Sequence, residues 1–249
     1  LQDVTAAGAT GCLAVADVAD PAALLAAIAT IEAELGAIDV WVNGVGVSAY
    51  GRFLDLTEQD YLRVNQVTYL GTVHGTHVIL PRMMARGGGS IVNIGSAVAK
   101  RAVPLQSAYS AAKFAVFGFT EALRAELRHE GSPVQLSIVH PPSTNTPCFE
   151  HAANRLADGV PCPPPPVYAP ELTAEAIELA VTRRLAEVKV GGCPIPAVKA
   201  GCHRASHRLT LGSYRRRGLG TLPGWRQHTT RGAKRPSLRD KPWLRSQEA

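Results

Sequence analysis

The chain has 249 residues, of which 46% are hydrophobic and 18% charged, with a formal net charge of +6. Such a balance supplies one sizeable core of about 150 to 200 residues. No apolar run reaches the roughly 18 residues of a membrane span and no charged-then-apolar signal segment opens the chain, so a cytoplasmic location is the expectation.

In chain order, Cys12-Leu-Ala-Val-Ala16 is apolar and strand-like. A helix follows, opened at Asp20-Pro21 by an N-cap aspartate ahead of proline at the first helical position. Leu24, Leu25, Ile28, Ile31 and Leu35 fall on one of its faces, and Gly36 stops it. Ile38 to Asn43 is the next strand. Thr57 to Arg86 is a long helix, with Thr57 as cap and Glu58 and Asp60 in the first turn, where they suit the helix dipole. Gly87-Gly88-Gly89 ends it. A strand over 90–95, a helix over 107–129, a strand from Val134 to His140, a Pro-rich stretch at 161–170, a helix from Glu171 to Leu185 and a strand from Glu187 to Gly191 complete the order. The alternation predicts a parallel sheet with right-handed crossovers and helices on both faces, a doubly wound, Rossmann-like α/β domain.

Within that order Tyr109 and Lys113 read as an acid/base centre. Residues four apart share a helical face and lie about 6 Å apart along the axis, so phenol and ammonium project together. A fixed cation lowers a phenol from its usual pKa of about 10 toward working pH, and the pair can then exchange a proton with a substrate oxygen. Helical Tyr/Lys pairs are common on amphipathic surfaces; Ser96 is what gives this one chemistry. It closes the apolar run from Ser90 and brings a hydroxyl for the same oxygen. Gly95 lets the backbone bend at the strand end, and ligands of parallel sheets bind outside such carboxyl ends.

With these residues placed, roughly residues 10–192 resemble the short-chain dehydrogenase/reductase family. Asp17-Val18 resembles the acidic position that contacts the adenine ring. Asn43-Gly44-Val45-Gly46 resembles the family's Asn-Asn-Ala-Gly turn, which supports the central sheet and lies against the cofactor. Ser96, Tyr109 and Lys113 match the catalytic Ser and the Tyr-x-x-x-Lys motif, Ser and Tyr being 13 residues apart. Pro141-Pro142 followed by Thr146 resembles the Pro-Gly-x-x-x-Thr segment that closes over the nicotinamide.

The resemblance implies an NAD(P)-dependent oxidoreductase that interconverts a secondary alcohol and a ketone on a small, largely apolar molecule, with NADP slightly preferred to NAD. Tyr109 is then the general acid/base, Lys113 lowers its pKa and holds the nicotinamide ribose, and Ser96 positions the substrate oxygen. The hydride belongs to the cofactor. A homodimer or tetramer through the helices at 57–86 and 107–129 is also implied, with Ala108, Ala111, Ala112, Ala115 and Gly118 allowing close approach. The lid would come from about 143–170 and the divergent tail, loops of the kind that carry specificity.

Three features depart from the family pattern. Set on the family pattern, Leu1 is expected to fall within the second helix, so the opening strand and Gly-rich turn, with the pyrophosphate amides and the region that selects NAD or NADP, are not among these 249 residues. Thr68 stands where many members carry Asn, so one hydroxyl replaces two donors and an acceptor in a water relay toward Lys113; Asn65 lies near the same face as a weaker substitute. Pro142 replaces a usual Gly, fixing φ. The alternative implied by the first departure is a remnant acting as a binding or scaffold subunit.

His140 is expected to be a satisfied strand-end histidine, and His74 and His77, three apart with no third ligand, do not predict a metal site. Cys12, Cys148, Cys162, Cys193 and Cys202 are odd in number with no CxxC, which predicts free thiols. The catalytic domain is expected over 1–192 and a basic, largely disordered tail over 193–249. From residue 201 onward, 12 Lys and Arg face only Asp240 and Glu248. Few aliphatics there can offset chain entropy, and disorder is preferred to nucleic-acid binding.

Overall fold

The computed structural model describes residues 2–191, all within the first of two units of the chain, Leu1–Gly212. The second unit, Ser213–Ala249, the expected tail at 193–249, Cys193 and Cys202 lie outside the described residues.

In chain order the elements are α1 (Gln2–Ala6), α2 (Pro21–Leu35), β1 (Val40–Asn43), β2 (Ala49–Tyr50), α3 (Glu58–Val64), a π-helical turn (Asn65–Leu70), α4 (Gly71–Ala85), β3 (Gly89–Ile94), α5 (Ser107–His129), β4 (Val134–His140), β5 (Ala153–Asn154), α6 (Glu171–Thr182) and β6 (Glu187–Lys189). The caps work as the sequence suggests. Asp20 accepts from the amides of Ala22 and Ala23 ahead of Pro21, and Thr57 with Asp60 forms a reciprocal capping box.

β1, β3, β4 and β6 form one parallel sheet in that order, with Asn43 beside Asn93, Ile94 beside Val139, and Val139 beside Val188. On one face Ile79 and Met83 of α4 and Leu127 of α5 pack on Ile91, Val134 and Leu136. On the other, Ala176 and Ala180 of α6 pack on Val92, Val139 and Val188. The alternation of strand residues between faces makes one run of apolar residues serve both layers. A doubly wound α/β fold is the result.

Three details differ from the sequence reading. Residues 12–16 are not a strand: no strand of the described residues lies beside them to share a ladder, and Leu13 and Val15 are exposed. The long helix is interrupted, because the amide of Gly71 donates to the carbonyl of Gln66, five residues back. Ala108 and Ala112 are buried within the chain against Leu56 and Val64, so of the five small residues expected to allow close approach only Ala111 and Gly118 are exposed. Among the described residues no helix is long and apolar enough to cross a membrane.

Candidate active site

The site lies at the carboxyl ends of β1, β3 and β4. A buried polar chain fixes those ends. Trp41 Nε1 donates to Asn43 Oδ1 (2.7 Å), Asn43 Nδ2 donates to Asn93 Oδ1 (2.8 Å) and to Thr76 Oγ1 (3.0 Å), and Asn93 Nδ2 donates to Thr120 Oγ1 (2.9 Å). The chain crosses from β1 through β3 to α5 with its donors and acceptors matched, the condition under which a buried network rigidifies a core. Asn43 thus supports the sheet. A Cβ on Gly75 would lie 2.3 Å from Asn43 Oδ1, so glycine is what lets α4 reach it.

From Asn43 the chain turns through Gly44 and Gly46 to Val47. Thr68, fully buried, holds that turn twice: its hydroxyl donates to the Val47 carbonyl and accepts from the Val47 amide, both at 3.0 Å. Its single proton is therefore committed. Thr68 acts on the turn, whereas the sequence reading gave it a water relay to Lys113. A Cβ on Gly46 would sit 3.7 Å from Lys113 Nζ and 3.8 Å from Thr68 Oγ1, which brings the turn, the π-helical segment and α5 to one point.

β3 ends at Ile94, and Gly95 allows the bend into Ser96. A Cβ there would lie 2.5 Å from His140 Nδ1. His140, 5% exposed, has Nδ1 3.0 Å from the Ser96 carbonyl oxygen and 3.3 Å from its amide, bonding one or the other by tautomer. It is a buried strand-end histidine braced against Ser96. Its Nε2 lies 3.4 Å from Glu187, whose carboxyl is held well below the usual range by His140 and then by Lys100 and Lys189. Ser96 Oγ accepts from the Val98 amide at 3.3 Å and hydrogen-bonds the Tyr109 phenol.

α5 delivers Tyr109 and Lys113. Lys113, 3% exposed, donates to the Ile94 carbonyl at 2.7 Å and lies 5.8 Å from the centre of the Tyr109 ring. Burial pulls its pKa down to about 8. The Tyr109 phenol moves the other way from expectation: burial raises its pKa above the usual value, and a hydrogen bond from Ser96 only partly offsets this. The depression expected from Lys113 is not what the structure shows, because desolvation of the phenolate outweighs a cation turned toward Ile94.

Above these groups lies the segment after β4. Pro141 accepts from the Ala97 amide at 3.2 Å, Pro142 accepts from the Thr144 hydroxyl at 3.0 Å, and Thr146 is exposed ahead of the short turn Pro147–Phe149 without capping it. The turn carries two residues the sequence reading left out of the site. Cys148 is close enough to act electrostatically on Tyr109 and Lys113, and Phe149 packs on Tyr50 with ring centres 6.3 Å apart. Burial pushes the Tyr50 phenol up to about 12. No motif marks these positions; a loop only acquires neighbours once folded.

Asp17 makes its contacts with its own turn and with α3. Its carboxylate accepts from the Ala19 amide (2.9 Å) and pairs with Arg63 (3.0 Å), which together hold its pKa low. The neighbouring Val18 does reach the turn, lining a cleft of about 160 Å³ with Trp41, Asn43, Gly44 and Gly71.

The donor set fits the nicotinamide end of a dinucleotide. Lys113 has spent one of three donors, and a Cβ on Gly44 would meet nothing within 4 Å. The N-terminus of α2 does not suit a pyrophosphate, since the Asp20 carboxylate already occupies its first amides.

Comparison with known proteins gives the family. The family description "short chain dehydrogenase" matches residues 1–156. The chain belongs to the short-chain dehydrogenase family. It is 36% identical over 157 residues to the uncharacterized oxidoreductase YxnA of Bacillus subtilis, covering 63% of this chain and 44% of that protein. It is 31% identical over 196 residues to the ketoacyl reductase HetN of a Nostoc species, covering 77% of this chain and 65% of that one. It therefore spans 44% and 65% of these two relatives' length. Among solved structures, a short chain dehydrogenase/reductase from Burkholderia phymatum in complex with NAD superposes with a TM-score of 0.67 at 23% identity, over 76% of this chain and 73% of that one, a likeness of fold. A gluconate 5-dehydrogenase from Burkholderia cenocepacia in complex with NADP and tartrate gives 0.55 at 29% identity, over 59% of this chain and 57% of that one.

Proposed function

We propose that this protein is a nicotinamide-dependent oxidoreductase that interconverts a secondary alcohol and a ketone on a small, largely apolar molecule. The observation that carries the reading is the convergence of Ser96, Tyr109 and Lys113 at the carboxyl end of β3. Gly44, Gly46 and Lys113 would hold the nicotinamide ribose side, with Val18, Pro141, Pro142 and Thr146 along its flanks. When bound, the nicotinamide supplies a hydride in one direction and receives it in the other.

The chain's own residues manage the proton. With its pKa raised, Tyr109 stays protonated across neutral pH. It is poised to give its Oη proton to a carbonyl oxygen as charge develops there, and to take it back in alcohol oxidation. Ser96, whose hydroxyl bonds Tyr109 in the free site, turns its one proton to the same oxygen when substrate is bound and fixes its position. Lys113 stabilises the phenolate left behind. The Tyr50 and Phe149 rings supply an apolar wall on the substrate side. Two copies would pair through the exposed strip Ala111, Phe114 and Gly118 of α5.

Titration with NADPH and with NADH tests the cofactor half of this reading. Saturable quenching that Lys113→Ala weakens at least about tenfold is expected, the loss of one charge-assisted contact. No binding of either at millimolar concentration would favour a scaffold role instead.

A further inference from the structure

The segment leaving β4 is tied down by contacts that the core does not need. The Ala153 amide donates to the Ser48 carbonyl (2.9 Å) and the Arg155 amide to the Tyr50 carbonyl (2.7 Å), so β2 and β5 make a two-residue parallel pair separate from the main sheet. A ladder that short is marginal by itself. What secures it is the next side chain. Arg155 Nε donates to Asp60 Oδ2 and Nη2 to Asp60 Oδ1, both at 3.1 Å, the two-pronged geometry in which guanidinium and carboxylate bind best.

Asp60 is a fixed anchor. Its side chain is 7% exposed, and Oδ2 also accepts from the Thr57 amide (2.9 Å) and hydroxyl (2.8 Å), so its position is set by the start of α3 before Arg155 arrives. The fit is tight around the strap as well: a Cβ on Gly51 would lie 2.9 Å from Arg155 Cβ. Between Pro142 and this anchor the chain carries Cys148 and Phe149, the residues that meet Tyr50 and act on Tyr109 and Lys113.

We propose that Arg155 is a positioning residue for the substrate side of the site: clamped on Asp60, it fixes residues 143–155 against Tyr50 and so sets the wall facing Tyr109. Its kinetic consequence rests on the oxidoreductase reading; its structural consequence does not. Without the clamp, the two-residue pair no longer holds the segment, and the wall opens while the main sheet stays intact. A local opening of this kind leaves the global fold in place.

The test separates the two. In the full chain, alkylation of Cys148 by iodoacetamide is followed by peptide mass spectrometry, with Cys12 and Cys162 in the same digest as internal controls. Arg155→Ala is expected to speed Cys148 roughly tenfold with the controls within about twofold, and Arg155→Lys, which keeps charge but not the fork, to fall between. Asp60→Asn combined with Arg155→Ala should add little to Arg155→Ala alone, because both break one contact. With carbonyl substrates, KM should rise about tenfold in Arg155→Ala while kcat changes less than about threefold, the pattern of lost uniform binding. An unchanged Cys148 rate in folded Arg155→Ala and Arg155→Lys overturns the proposal, and so does an equal rise at all three cysteines. A wild-type chain with no turnover sinks the oxidoreductase reading alone, and the labelling still decides the clamp.

Discussion

The Lys113 ammonium hangs from the Ile94 carbonyl at 2.7 Å, so the buried cation of the site is held by the last residue of β3 and by no carboxylate among the described residues. Burial pulls its pKa down to about 8 from the ordinary 10.5. Below about pH 8 it is charged in both folded and unfolded states, and burying that charge costs stability. Between there and the ordinary value the folded state sheds its proton first, so stability rises with pH.

Lys113→Met should therefore raise the melting midpoint at pH 7 by about 2 to 4 °C while abolishing turnover. The gain should shrink toward pH 10. A midpoint that falls at pH 7 contradicts the account of this lysine as a strained, functional charge.

Gly75 faces Asn43 closely enough that an added methyl would lie 2.3 Å from Oδ1. Gly75→Ala should cost about 2 to 4 kcal/mol in urea denaturation, since it pushes apart a network whose members are buried. Gly118→Ala, on an exposed helix face with nothing within 4 Å of the added carbon, is the control; it should stabilise by up to about 1 kcal/mol. Equal effects at the two glycines would contradict the network's importance.

Thr68→Val leaves the Val47 amide and carbonyl without partners. A loss of about 2 kcal/mol is expected, together with weaker NADPH binding, because the Gly44–Gly46 turn loses its brace. Thr68→Ser should restore most of both. If Thr68→Val binds cofactor as the wild type does, the turn does not depend on Thr68.

Asp60 carries the acid sensitivity of the strap. Its pKa is lowered from 3.8 to about 2, first by the Arg155 hydrogen bond and then by the Thr57 amide. The stabilisation is fully present above about pH 4 and is lost as pH falls through about 2. Asp60→Asn should cost about 1 to 2 kcal/mol at pH 7, allowing for solvent screening of the half-exposed Arg155, and the difference from wild type should close toward pH 2. Urea midpoints at pH 7, 4 and 2.5 read this directly; a gap that stays constant argues against it.

Much of this architecture is legible in the sequence because local rules carry it. Asp20-Pro21 and Thr57 mark helix starts whose caps form as read, and β4 spans Val134–His140 as its apolar run predicts. Ser96, Tyr109 and Lys113 were readable as a set because strand end and helical spacing fix where each side chain goes. The rest depends on partners distant in sequence. Residues 12–16 look like a strand but find no neighbour, and the π-helical turn at Asn65–Leu70 has no signature a periodicity could carry. Cys148 and Phe149 carry no motif, and residues 153–155, which return to β2 and α3, bring Arg155 to Asp60 from 95 positions away. The direction of the Tyr109 pKa shift is not legible in the sequence for the same reason: spacing reveals a nearby cation, whereas burial is a property of the fold.

Tyr109 is proposed to handle the proton in an alcohol/ketone interconversion. Tyr109→Phe keeps the ring and removes only the hydroxyl. With nicotinamide absorbance followed over a panel of carbonyl substrates, turnover should fall by about a hundredfold or more while NADPH titration and the melting midpoint stay close to wild type. Turnover unchanged in Tyr109→Phe would contradict the account.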